Sequence, residues 1–294
     1  MKYYNYKARQ AGMTLIELTV VLLVLVGLAG LLIPYVQGFV GKTHDSTGAS
    51  NIQSLNNAIQ RYAVEHYDNF PDNMDSLVED AAGTPAIYTK MMDSIMPMGG
   101  AANSYFSLLP LDTVTAKQLT NVGINNLKNM DPATGDATFA NINTTTPDVG
   151  VAAAANVLAL QDGVAMTTVL SNLAHVMGKP VDTTANHYIV LGLGDDSTIA
   201  GSTVSDVPVH FSQNGNMGAN NAYNHFVVVF EVLKTGCSDG VAVDAAACDT
   251  AGGTWTNPDN HKARFVGSAM AMGMGNFEGL GGSMIRYYEN TAQN

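Results

Sequence analysis

Charge is scarce in this chain, and cationic charge scarcer still. Lys, Arg, Asp and Glu make up 13% of the 294 residues, with 13 basic side chains against 25 acidic ones. A net charge of −12 opposes binding to nucleic acid or anionic lipid headgroups by field alone, so nucleic acid is not an expected partner. Cysteine is limited to Cys237 and Cys248, whose C-x10-C spacing matches no zinc motif. The seven histidines (His44, His66, His175, His187, His210, His225 and His261) are scattered without an HExxH or a close pair, and single histidines near strands are more often packed or solvated than ligands. There is no G-x-S-x-G element. Gly192-x-Gly194 is a lone glycine pair without the following helix that a nucleotide fingerprint requires. The methionines at Met91, Met92, Met96 and Met98, and at Met270, Met272 and Met274, read as flexible core or interface filler rather than copper ligands. Without a catalytic constellation the chain is read as a non-enzyme with no cofactor. Calcium stays open as an alternative, through oxygens of Asp195-Asp196 or of Asp239, Asp244 and Asp249, although no EF-hand loop is present.

What the chain has in abundance is apolar residues, 46% of the total, and the longest run lies near its start. Gly12-Met13-Thr14-Leu15-Ile16-Glu17-Leu18 leads into an apolar stretch that reaches Val36. The run from Leu18 is about long enough to cross a bilayer, which takes roughly 17–25 residues. Ahead of it, residues 1–12 carry Lys2, Lys7 and Arg9 and no acid, which by the positive-inside rule leaves them cytoplasmic. A secretory signal is cut after its apolar stretch, at small residues; here the glycine comes before it. Glu17 is the one acid in this region, and a lone charge in hydrocarbon is costly unless paired. Thr14-Leu15-Ile16-Glu17 also has the T-x-x-E spacing of a helix capping box. Gly27, Gly30 and Pro34 weaken the segment, by about 1 kcal/mol for a glycine and 3 for a proline. Small residues here also permit close helix packing.

These residues resemble the N-terminus of type IV pilins and of type II secretion pseudopilins. The resemblance is close over residues 1 to about 42 and loose over 43–78. It implies that a prepilin peptidase cuts between Gly12 and Met13 and methylates the new amine. Glu17 then becomes the fifth mature residue and pairs with the terminal amine of a neighbouring subunit. Pro34 falls at the twenty-second mature position, where many pilins carry proline, while Met13 stands where most members have phenylalanine. Removing the leader takes the net charge to −15. The implied life history is a single-pass inner-membrane precursor with its C-terminal domain in the periplasm, then an extracellular or periplasmic filament. Its partners would be copies of itself or other pilins, the peptidase and an inner-membrane assembly platform. In the oxidising periplasm Cys237 and Cys248 would form a disulfide, bounding a loop near the C-terminus as pilins commonly have. The function implied is a structural filament subunit, with a minor pilin or pseudopilin as the alternative. A membrane-anchored adhesin or ligand-binding module is the reading from another class.

Periodicity divides the remainder. Ile52, Leu55, Ile59, Tyr62, Ala63 and His66 recur at helical spacing, extending one long helix from Met13 to about Tyr67, with a break expected where Gly38, Gly41 and residues 43–48 weaken it. The expected segments are a leader (1–12), a hydrophobic helix half (13–42), an amphipathic half (43–70), a helical insertion (71–185) and an antiparallel sheet (186–294). Within the insertion, helices are expected after Asp72, around Thr115-Ala116-Lys117-Gln118 with a stop at Gly123, over the Ala-rich 149–160, and from Met166 to Met177. Strands are expected at Tyr188–Leu193, Val207–Phe211, Phe226–Leu233 and Arg264–Met270. The fold class is therefore α+β and pilin-like: a long N-terminal helix packed on a C-terminal antiparallel meander, with a helical insertion between them.

Overall fold

A computed structural model describes residues 14–81, 84–88, 106–130, 138–141, 156–160, 181–183, 185–209, 223–234, 236–238, 245–255 and 260–270. The chain divides into two compact units, Met1–His44 and Asp45–Asn294. The described part of the first unit is the beginning of helix α1 (Leu15–Glu65). From Leu15 to Leu31 its side chains are exposed: Leu15 is 82% exposed, Leu23 76% and Leu31 77%. The expected break near Gly38 and Gly41 is absent, and α1 is continuous to Glu65. A penalty of about 1 kcal/mol per glycine weakens a helical ladder without interrupting it. Among the described residues no helix is long and apolar enough to cross a membrane, which overturns the single-pass inner-membrane placement expected from the sequence. Within the described part, Glu17 interrupts the apolar run, and a lone charge in hydrocarbon is costly.

In the second unit, α1 turns from exposed to amphipathic. Ile52, Leu55, Ile59 and Tyr62 are buried along one face. The helix ends at Glu65, and the chain reverses through Tyr67 and Asp68 at φ 58° and 67°. The Asp68 N–H donates to the Ala63 carbonyl at 2.7 Å, and Pro71 prevents resumption.

Nine strands are described: β1 (Met74–Ala81), β2 (Thr84–Ile87), β3 (Phe106–Pro110), β4 (Asn126–Met130), β5 (Thr138–Asn141), β6 (Asn156–Leu160), β7 (Asn186–Gly192), β8 (Phe226–Leu233) and β9 (Arg264–Met270). They form one sheet along the path β3-β6-β7-β1-β4-β5, with β2 added to β1, β8 to β7, and β9 to β8. The β1–β4 pair is parallel and the others are antiparallel. Two short helices complete the described elements, α2 (Thr113–Thr120) and α3 (Ala245–Thr250).

The α+β class stands, while the layout within it differs from expectation. Among the described residues the insertion supplies β1 to β6 and one helix. Residues 74–78, expected as helix, are all buried, a pattern with no polar face for a surface helix but natural for a strand paired on both edges. The Ala-rich run ends as β6, held by β3 and β7; sheet pairing overrides the helix propensity of alanine. Around Thr115 a helix does form, but its cap is Asp112, whose carboxylate accepts the Thr115 N–H at 2.7 Å. Gly123, at φ 85°, follows the helix as expected. Residues 166–177 lie outside the described residues. Of the four expected C-terminal strands, β7, β8 and β9 form a three-stranded meander. Val207–Phe211 contributes an isolated bridge, Val209 with His225, and Phe211 lies outside the described residues.

The core forms on both faces of β8. Phe226, Val228, Phe230 and Val232 pack with the α1 stripe, Leu119 of α2 and Leu127 of β4. Val227 and Val229 face the other way, into a cluster with Leu158, Tyr188, Val190 and Phe106. Two side-chain amides tie helices to strands. Gln118 accepts the Leu233 N–H at 2.8 Å and donates to the Leu233 carbonyl at 3.0 Å, completing the end of β8 as a neighbouring strand would. Asn56 of α1 accepts both the N–H and the hydroxyl of Ser268, each at 2.8 Å, so the helix caps the outer edge of β9. Losing one partner of a buried donor costs about 1–3 kcal/mol. Asn56→Ala is therefore expected to lower unfolding free energy by about that amount, measured by denaturant titration with an unchanged m-value.

Candidate assembly site

The residues singled out in the sequence fall in two places, the start of α1 and the disulfide loop. Gly12 and Met13 lie outside the described residues. At the helix start, the Thr14 N–H donates to a Glu17 carboxylate oxygen at 2.9 Å, and the Glu17 N–H reaches the Thr14 hydroxyl oxygen at 3.4 Å. This is the reciprocal bonding of a capping box. The cap reading of Glu17 is thus realised in the isolated chain, on a carboxylate that remains solvent-exposed. Around and beyond it, Ile16, Val20, Leu23, Val26 and Leu31 are at least half exposed. A β-carbon placed at Gly27 or Gly30 meets nothing within 4 Å. The helix runs through Pro34, where the missing N–H leaves the Gly30 carbonyl without its i+4 donor.

The second place is compact. Cys237 and Cys248 are joined, with Cα atoms 5.6 Å apart and a sequence separation of 11. Cys248 lies on α3, and the pair forms a satellite core with Trp255. The loop closes by backbone and hydroxyl bonds: Ser238 N–H to the Thr254 carbonyl at 3.0 Å, and Thr254 N–H to the Ser238 hydroxyl at 2.8 Å. Gly253 presses against the bridge; a β-carbon there would lie 2.6 Å from the Cys237 sulfur. Trp255 and Gly253 were missed in the sequence, though a lone tryptophan seven residues beyond a cysteine was an available signal.

Among the described residues no group of three or more His, Cys, Asp or Glu is placed to hold a metal ion. Asp239 and Asp244 lie outside them, so that part of the calcium alternative has no described geometry. Asp195 and Asp196 instead face His225 at 3.8 Å and Lys128 at 2.5 Å. Of the histidines, His175 and His210 lie outside the described residues; His66 stacks on Tyr62 with ring centroids 3.9 Å apart.

No family model and no solved structure matches the chain. The "Type II secretion system core protein G" of Aeromonas hydrophila is 33% identical over 81 residues, 27% of this chain and 57% of that protein. The chain thus spans little more than half the length of this curated relative.

For the disulfide, chain-entropy arguments give a loop of this size about 3 kcal/mol. Reduction, or replacement of both cysteines by serine, is expected to lower unfolding free energy by about 2–3 kcal/mol, read as a lower denaturant midpoint.

Proposed function

We propose that this chain is a pseudopilin-like structural subunit, processed between Gly12 and Met13 and assembled into a filament through the first part of α1. The observation that carries the reading is the uncovered apolar helix from Leu15 to Leu31, opened by an acid. Fully burying a large aliphatic side chain is worth about 1.5–3 kcal/mol, so a helix this apolar gains strongly from packing against copies of itself. The local similarity to a type II secretion core protein supports a place in a secretion-system fibre over an adhesive pilus. Processing requires a prepilin peptidase, and extension requires an assembly platform. The folded unit from Asp45 onward would then be the subunit's outer body, with the disulfide loop stabilising its C-terminal part.

Glu17 has two roles under this reading: it caps the helix before assembly and pairs with a neighbour's Met13 amine within the fibre. Glu17→Gln separates them, because the amide oxygen still accepts the Thr14 N–H while the charge is gone. Wild-type protein is expected to begin at N-methylated Met13 by mass spectrometry and to be recovered in sheared filaments. Glu17→Gln is expected to be processed and helical but absent from filaments. Filament recovery equal to wild type would leave the cap as the sole role of Glu17 and remove the pairing mechanism.

Gly27 and Gly30 give an independent check. With open space around both, alanine at either position should stabilise the unassembled helix by about 1 kcal/mol, seen as greater helicity on heating. In the fibre, where these glycines would admit close neighbours or local stretching, the same substitutions should reduce filament yield.

A further inference from the structure

Strand β7 pairs with β8 along its whole length, yet it meets β1 at a single rung, Asp75 opposite Gly192. From Val78 onward β1 pairs with β2 instead. Several unusual features converge on that rung. Asp75 is 2% exposed. Its Oδ2 accepts the Tyr223 hydroxyl at 2.7 Å, and its buried Oδ1 has no hydrogen-bond partner among the described residues. The Gly192-x-Gly194 pair has a packing use here. A β-carbon at Gly192 would overlap the Tyr223 hydroxyl, and one at Gly194 would lie 2.5 Å from Asp75 Oδ2. Just beyond, the fully buried Leu77 sits at φ 58°, and the β1–β4 register slips between Asp75 and Glu79. A left-handed non-glycine residue costs of order 1–3 kcal/mol and persists only where its surroundings force it.

The charged and titratable groups around this pair come from several elements. Lys128 is Asp75's partner across β4 and is ion-paired with Asp196 at 2.5 Å. His225 lies beside Tyr223, with ring centroids 5.5 Å apart, and 3.8 Å from Asp195. Tyr88 meets Tyr223 edge-on at 6.5 Å, and Glu79 acts on Tyr88 from β1. Burial raises the Asp75 carboxyl above its ordinary value; the Tyr223 bond, Lys128 and His225 oppose this, and Asp196 adds to it. Burial, reinforced by Asp75, also holds the Tyr223 hydroxyl well above its ordinary value, so it stays a donor.

We propose that Asp75 and Tyr223 form a proton-controlled clasp at the β1–β7 junction, closed while Asp75 is protonated and released, with β1, β2 and β4 parting from β7, when Asp75 ionises. The closed junction holds a proton that the opened one gives up above the ordinary Asp value of 3.8. Its stability is full below that value, falls as pH rises toward the raised value, and is level above it. Within the window the closed-to-open ratio falls about tenfold per pH unit. This device is independent of the filament reading.

The test is amide hydrogen exchange by mass spectrometry on the full chain across about pH 4–8, corrected for intrinsic exchange, a range that opens at the ordinary Asp value and runs upward in the direction of the shift. Wild-type peptides from β1, β2 and β4 should lose up to about tenfold protection per pH unit above 3.8, while β8 and β9 hold constant. Asp75→Asn, which keeps the shape of the neutral acid, should give a flat profile. Tyr223→Phe removes a bond that favours ionisation, so its fall should continue to higher pH than in wild type. A flat wild-type profile, the same profile in Asp75→Asn, or β8 and β9 losing protection together with β1 would each overturn the clasp. If Asp75→Asn does not fold, the Tyr223→Phe comparison decides: no upward extension of the window counts against it.

Discussion

The folded unit depends on burying one strand, β8, from both sides. Phe226 to Val232 has no polar face to offer water except Glu231, so an element must cover each side. The α1 stripe and α2 cover one, and the second cluster around Tyr188 and Leu158 covers the other. Even Glu231 is neutralised in place: the Tyr188 hydroxyl donates to it at 3.1 Å and Arg264 at 2.6 Å. A buried carboxylate without such partners costs several kcal/mol, so β7, β8 and β9 are locked by charge as well as by ladder. Burial pushes the Tyr188 hydroxyl up to about 12, which keeps that donor intact at any ordinary pH.

This explains which parts of the fold were legible. Strands β7 and β8 announce themselves because β-branched and aromatic runs buried on both faces have no helical reading, and the second half of α1 does so through its 3.6-residue stripe. Strand β1 does not, since Asp72-Asn73 before Met74 looks like a helix cap. In fact the Asp72 carboxylate serves β4, accepting the N–H groups of Asn125 and Asn126 at 2.9 and 2.7 Å. Its partner lies more than fifty residues away, beyond the reach of local pattern. Strand β6 is hidden for the same reason, its state decided by β3 and β7. The Thr14–Glu17 cap and the pairing of Cys237 with Cys248 were legible in the sequence. Asp75, Tyr223 and the use of Gly192 and Gly194 were not, because four positions spread over 148 residues make one site only through the topology.

The two parts of α1 obey the same helical rules in opposite environments. From Ile52 to Tyr62 the apolar residues are restricted to one face, and that face is filled. From Leu15 to Leu31 they occur all round, and every one described is exposed. A helix apolar all round is stable only when surrounded, so the isolated chain is incomplete along this stretch. The incompleteness is graded by chemistry: glycines and a proline soften the ladder where the apolar residues are densest, and the acid stands at its beginning.

That acid decides the order of events in the proposed assembly. In the isolated chain Glu17 is exposed and bonded to Thr14, an arrangement worth about 0.5–2 kcal/mol to a helix start. As apolar side chains of neighbours close around it, an unpaired carboxylate becomes more expensive than the loss of a cap. A nearby amine then outcompetes the Thr14 N–H, because a charge pair at low dielectric is stronger than a bond to a neutral amide. The cap holds the carboxylate in place until a partner arrives and gives way at small cost when it does. One side chain can therefore fulfil both readings, and its exposure in the unassembled chain is a requirement of the second.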